Sequence, residues 1–464
     1  MRPMSRLKII TTLLLLAVAP TAFAQTCDCP KNLTHLQQQV ETNQASYQHQ
    51  VVEMNRTAAY TQFKNHLNQQ AARAQTPQQC LGLIAVYLGF FRDEHAFLAY
   101  APQYAPPPNP KARPRRPAPP QPHDGRWYFQ DGSFSVTVMP APTLHGERVA
   151  VMHHDDTRKW PKGQVKIEFF EDEHHTPKCI YWRQNRVPQV HEVTFTDSTM
   201  KIGRRLTFYR RKPSTPPPGS LALPPALAVT YPSATTSYLR IPSFDLTYTA
   251  KIDSALKKNA AGIAARPYLI LDVRGNGGGG FDAFKPLLPL LLDKPVMAQP
   301  YYGSVWVSPD NLAYYDRTKY DYAPTRQDST TELAYVASLR PHLGRFSPVE
   351  KLPDTIALAA GFPHRVGLLF DRYSASSTEG LLLTCRQSAK VRTFGEPSAG
   401  AVSYGDWRPI ELPGLHIWLA LTTKKMVFET ATDFESIGIA PDVDLTAHDE
   451  REWLHLVRQE LERD

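Results

Sequence analysis

The spacing of apolar positions changes character several times along the chain. Residues 25–100 contain runs such as THLQQQVETNQASYQHQVVEMNRTAAYTQFKNHLNQQAAR, rich in Gln, Ala, Leu and His. This predicts an N-terminal helical region of two or three amphipathic helices. Residues 101–124, largely APQYAPPPNPKARPRRPAPPQPHD, break every period and predict a stiff, extended linker. Over 125–212 the period falls to two. RWYFQ, SFSVTVMP, RVAVMHH, GQVKIEFFE, CIYWRQ, HEVTFTD and RRLTFYRRK read as short strands between turn residues, which predicts a small antiparallel barrel or sandwich. A second proline-rich linker spans 213–233.

From residue 234 to 464, apolar strands alternate with helical stretches. TSYLRIP, PYLILDVR, VGLLFD, KVRTFGE and HIWLALT are the strands. TYTAKIDSALKKNAAGIAA and a segment starting at Ser376 are helices. Such alternation predicts an α/β core with a mainly parallel sheet. The tyrosine-rich stretch 299–350 reads as an insertion over one end of that sheet. DEREWLHLVRQELER closes the chain as an amphipathic helix.

The first 24 residues, MRPMSRLKIITTLLLLAVAPTAFA, have a basic start, an apolar run and a small-x-small site, the pattern of a bacterial-type signal peptide. The expected product is exported, periplasmic or secreted, with no transmembrane segment. The net charge is +8, and three of the positive charges, Arg2, Arg6 and Lys8, belong to this leader. The cluster KARPRRP (111–117) lacks interleaved aromatics and reads as solvated linker, so no nucleic-acid partner is expected. Five cysteines enter an oxidising compartment, where Cys27 or Cys29 is expected to pair with Cys80 and Cys385 to stay a buried thiol. His174 and His175 are adjacent in a charged turn, so no metal site is expected, and no cofactor is implied.

Two turns carry possible chemistry. In LILDVRGNGGGG (269–280) a buried strand runs into four glycines; no Gly-Lys-Ser/Thr follows, so this is no phosphate loop. It is either a tight strand-to-helix turn or a backbone that opens its N–H groups to a developing oxyanion. In YSASSTEG (373–380), Ser376 and Glu379 form an S-x-x-E capping box, yet the same serine would sit at a helix N-terminus where negative charge is favoured. Both turns follow apolar strands and can meet at the C-terminal edge of one parallel sheet. Asp272 and Arg274 read as a structural charge pair.

The strand SYLRIPSF (237–244), LILDVRGNGGGG, DRYSASSTEG, FGEPSAG (394–400) and ESIGIAPDVDL (435–445) together resemble the C-terminal processing and tricorn-type serine peptidases, over about residues 230–445. The resemblance implies a crotonase-like core and a polypeptide substrate. It implies Ser376 as nucleophile, and the N–H groups of Gly278 and Ser377 as the oxyanion hole. The processing peptidases place a lysine base 25 residues after the nucleophile; here that position is Ala401, and no lysine occurs between Val391 and Lys424. The tricorn-type branch instead draws a histidine from the N-terminal helical region and a glutamate from just before GIxPD. FFRDEHAFLAY offers His95, with Glu94 where one known arrangement has a serine. DFESIGIAPD offers Glu435, with Glu429 and Asp433 as near neighbours. A neutral imidazole can accept the serine proton, and a carboxylate on its other nitrogen would fix the tautomer.

The implied protein is an exported serine endopeptidase with a Ser376–His95–Glu435 triad. Its competitor is a non-catalytic binder of peptides or apolar ligands on the same fold. The β-rich region 125–212 stands where processing peptidases carry a PDZ domain but has no carboxylate-binding loop of that kind; gating the cleft or docking polypeptide is its expected task.

Overall fold

The computed structural model describes residues 28–112, 119–213, 226–295, 301–318, 326–349, 363–428 and 433–463. The leader, Cys27, most of the basic cluster, the proline-rich stretch 214–225 and Glu429 lie outside the described residues.

Three longer helices, Cys29–Asn43, Thr57–Ala71 and Pro77–Gly89, with short helical segments at Ala45–Tyr47 and Gln48–Glu53 between the first two, build the described part of the N-terminal region. Two have side-chain caps with proline in the first turn. The Asp28 carboxylate accepts from Lys31 N–H at 3.1 Å, and the Thr76 hydroxyl from Gln79 N–H at 3.2 Å. Cys29 is bonded to Cys80, tying the first helix to the last across 51 residues of chain, and Cys385 is a buried free thiol. Cys29→Ser is expected to cost about 2–4 kcal/mol of stability, because it releases a long closed loop in the unfolded chain. Urea denaturation with and without the bond measures this.

Eight strands between Gly125 and Tyr209 form a closed antiparallel barrel, each pairing with the next in sequence and the last returning to the first through Tyr128 and Tyr209. The period-two pattern missed one strand, Thr199–Ile202, whose four residues are too few to show alternation. Trp127, Val136, Ile167, Met200 and Phe208 fill the interior. Part of the preceding proline-rich segment is pinned to this barrel: Val165 N–H donates to Pro110 O and Asn109 Nδ2 to Val165 O, both at 3.0 Å.

The C-terminal half holds a six-stranded sheet in the order Ala228–Thr230, Thr236–Arg240, Tyr268–Asp272, Arg365–Phe370, Val391–Gly395, Val443–Asp444. The first pair is antiparallel and the rest parallel. Its middle strands are apolar throughout because both faces are covered. Leu271, Leu368 and Phe370 pack with Leu381 and Leu382 of the helix Ser377–Cys385. Ile270, Leu369 and Phe394 pack with Trp453, Val457 and Leu461 of the C-terminal helix. Gly367 permits that second contact, since a Cβ there would fall 2.6 Å from Val457 Cγ1. Asp272, fully buried at the strand end, pairs with Arg274 at 2.7 Å.

The strand containing HIWLALT departs from expectation. Ile417–Phe428 is not in the parallel sheet; it is the hub of a second, four-stranded antiparallel sheet with Leu98–Tyr100, Tyr301–Val305 and Tyr404–Leu412. Ile417, Leu419 and Leu421 face the helical region and join Leu33, Leu36 and Ile84 in one core. Thr422 on the alternate face is also buried, which makes an antiparallel strand look like a parallel one. The stretch 299–350 contributes one strand of this sheet and the helices Pro309–Thr318 and Arg326–Leu339. Among the described residues no helix is long and apolar enough to cross a membrane.

Candidate active site

The chain leaves the strand Arg365–Phe370 in a tight turn organised by Asp371. Its Oδ1 accepts from Gly275 N–H at 2.8 Å and Tyr373 N–H at 3.0 Å, and its own N–H donates to Ser374 Oγ at 3.2 Å. Ala375 N–H and the Thr378 hydroxyl both donate to Asn276 O at 3.0 Å, so this turn is knitted to the glycine-rich turn after Tyr268–Asp272. Ser376 follows with φ at +57°, a left-handed conformation that is uncommon outside glycine.

Glu379 holds that conformation. Its side chain is fully buried and meets four donors: Ser376 N–H at 3.0 Å, the Ser398 hydroxyl at 2.6 Å, and Gly400 and Ala401 N–H at 2.8 Å each. The capping-box glutamate expected at this position therefore does more than return one helix bond. It joins the nucleophile turn to the segment 398–401.

His95 reaches the same point from the other half of the molecule, its Nε2 lying 2.9 Å from Ser376 Oγ. It stands in a turn after Pro77–Gly89. Asp93 fixes this turn: Oδ1 accepts from His95 and Ala96 N–H, each at 3.1 Å, and Oδ2 from the Thr422 hydroxyl at 2.6 Å and Gln44 Nε2 at 3.2 Å. Enclosure of the ring disfavours the imidazolium and lowers the His95 pKa, against partial opposition from the carboxylates of Asp93, Glu379 and Asp406.

Two expectations need correction. Glu435 does not hold the free nitrogen of His95. Its Oε1 accepts from Glu94 N–H at 2.9 Å and its Oε2 from Val402 and Ser403 N–H at 3.2 and 2.8 Å, so the backbone takes the carboxylate first. His95 Nδ1 is buried and without a hydrogen-bond partner among the described residues. Burial, with Asp93 beside it, pushes the Glu435 carboxyl well above the usual range, while the N–H groups of Glu94 and Ser403 act the other way. The second correction concerns Gly278. Its N–H donates to Asn276 Oδ1 at 3.0 Å, a local side-chain turn that occupies one of the two expected oxyanion donors. Ser377 N–H lies in the first helical turn, where no preceding helical carbonyl is available to it. Gly278 does lie against the serine. With φ at +95°, a Cβ there would come within 2.7 Å of Ser376 Cβ and 2.6 Å of Ala375 O.

Residues 235–445 match the profile described as Peptidase family S41. This is an S41 peptidase domain. It is accordingly a serine-type peptidase domain, and its substrate is polypeptide. The S41 domain and the elements before it together are similar in fold to mature CPAF, with a TM-score of 0.53 at 14% identity, covering 93% of this chain and 95% of that one. The structure of mature CPAF complexed with lactacystin aligns with a TM-score of 0.51 at 16% identity, covering 93% and 97%. At such identities the likeness is one of fold. No curated protein matches the chain in sequence.

Residues that the sequence did not mark are also built into the S41 site. Asp93 is one; the sequence showed it only as the first residue of a D-x-H turn, with no role of its own, and its carboxylate accepts the N–H groups just ahead of it. A barrel turn supplies two more. Arg204 Nη2 donates to Pro397 O at 3.0 Å and Nη1 to Ile437 O, while Arg205 Nε donates to Arg372 O at 3.2 Å. The barrel thus grips the loops on either side of Ser376 and Glu435. Among the described residues no group of three or more His, Cys, Asp or Glu is placed to hold a metal ion. His174 and His175 are exposed on a barrel hairpin.

Proposed function

We propose that the chain is an exported serine endopeptidase that hydrolyses peptide bonds through an acyl-enzyme on Ser376. The reading rests on one contact, His95 Nε2 at 2.9 Å from Ser376 Oγ, made between residues 281 positions apart. A parallel sheet with the serine turn at its C-terminal edge supports the crotonase-like form of the peptidase core. The basic, then apolar, then small-residue start of the chain supports export to the periplasm or beyond.

His95 takes the Ser376 proton as Oγ attacks the carbonyl carbon. Ser377 N–H meets the developing oxyanion, and Gly278 N–H joins it as the substrate oxygen displaces Asn276 Oδ1. The imidazolium then protonates the leaving amine, the C–N bond breaks, and water activated by the same imidazole releases the acyl group. Glu435 completes the set as a positioning residue: it anchors Glu94 N–H, one residue before the histidine, to the backbone at 402–403.

A fluorophosphonate probe tests this directly. Covalent labelling of the wild type at Ser376, lost in Ser376→Ala and His95→Ala, is the expected result. Labelling that survives in His95→Ala would remove the proposed base, and a folded wild type that never labels would remove the nucleophile.

The acid limit of activity follows from His95. Only the neutral imidazole accepts the serine proton, and enclosure lowers its pKa, so the neutral form persists below the usual value of 6.5. The acid limb of kcat/KM is expected to have its midpoint below 6.5 and to fall about tenfold per pH unit beyond it. A pH–rate profile with the midpoint at or above 6.5 would contradict this.

A further inference from the structure

The histidine turn continues into an exposed aromatic pair that the chemistry above leaves unused. Phe97, two residues after His95, is 41% exposed, and Trp407 is 46% exposed, among the most open large apolar side chains described. Their rings meet edge to face with centroids 5.8 Å apart. They come from separate parts of the chain, yet their placement relative to the imidazole is fixed. Trp407 sits opposite Thr422 in the antiparallel register, the Thr422 hydroxyl donates to Asp93 at 2.6 Å, and Asp93 accepts from His95 N–H at 3.1 Å. Ala420 N–H also donates to Phe97 O at 2.9 Å, stitching the Phe97 backbone onto the same sheet. Beside Trp407, Asp406 is paired with Lys424 at 2.5 Å, so the neighbouring charge is already balanced.

Acyl transfer gives this surface a direction. The amine that leaves must receive its proton from His95 Nε2, so the substrate segment C-terminal to the scissile bond passes over the imidazole. An aromatic pair that begins two residues after His95 and is stitched to the same sheet offers a large apolar contact at little cost in side-chain entropy. We propose that Phe97 and Trp407 form the subsite for an apolar or aromatic side chain in the first residues on the leaving-group side of the cleaved bond. This rests on the Ser376–His95 reading of the active site.

The test uses the full chain and internally quenched peptides that share one acyl segment and carry Phe, Leu, Gly or Asp in the first two leaving-side positions. The wild type is expected to prefer Phe and Leu. Trp407→Ala is expected to reduce the Phe-over-Gly ratio of kcat/KM by about 10- to 100-fold, mainly through KM, with Phe97→Ala acting the same way and Trp407→Tyr retaining the preference. A wild type indifferent to these positions, or an alanine variant that loses Phe and Gly substrates equally, would overturn the subsite. So would a Trp407→Ala variant whose preference is intact but whose sedimentation shifts, since the face would then join copies of the chain. Fluorophosphonate labelling on the same samples separates the two failures: without labelling at Ser376 the active-site reading itself falls, and with it only the subsite does.

Discussion

Ser376→Ala is expected to lower kcat for a polypeptide substrate by about ten-thousand- to million-fold, with the melting temperature little changed. The serine Oγ is the atom 2.9 Å from the imidazole, whereas the nearby Ser374 Oγ is committed to Val273 O at 2.9 Å. His95→Ala is expected to cause a loss of the same order, and the double variant to be no worse than either single one, because residues that act as a unit fail as a unit. Steady-state kinetics beside thermal unfolding measures all three. A His95→Ala enzyme retaining a tenth of its activity would mean that another group takes the proton. Additive losses would mean that the two side chains act separately.

Glu379→Gln is the second large effect, and it separates architecture from chemistry. Each carboxylate oxygen accepts two hydrogen bonds, Oε1 from Ser398 and Gly400 and Oε2 from Ser376 and Ala401. An amide places NH2 where one oxygen stood, so two donors face a donor in a fully buried site. The penalty is on the order of 3–5 kcal/mol. It falls on the turn that keeps Ser376 at positive φ, so fluorophosphonate labelling is expected to slow at temperatures where far-UV circular dichroism still reports a folded chain. Labelling at the wild-type rate would show that the turn holds its shape without this hub.

The parallel strands were legible because burial on both faces leaves an unbroken apolar run, and Tyr268–Asp272 and Arg365–Phe370 are such runs. The same signal misplaced Ile417–Phe428. On its alternate face Thr422 is buried and donates to Asp93 of the histidine turn, and residue type does not show what covers a buried position. At the site, the glycine and serine turns were visible as local patterns. His95 was visible only through the absence of a lysine near residue 401 and the likeness to a known family. Glu435 was expected to hold the His95 ring, and its actual hydrogen bonds could not be foreseen, because they go to backbone N–H groups and those carry no sequence signature. Arg204 and Arg205 likewise act on the backbone, through carbonyl groups, and were silent in the sequence.

The 281 residues between His95 and Ser376 also set an order of events. Synthesis delivers the histidine turn first, then the barrel, and the serine only near the end of the chain. Contacts between such distant positions close late in folding. On the proposed chemistry, a growing or half-folded chain carries a base with nothing to activate, and a C-terminal fragment carries a serine with nothing to activate it. The two halves of the site then come into being together, when the last long-range contacts close, and neither half is reactive alone.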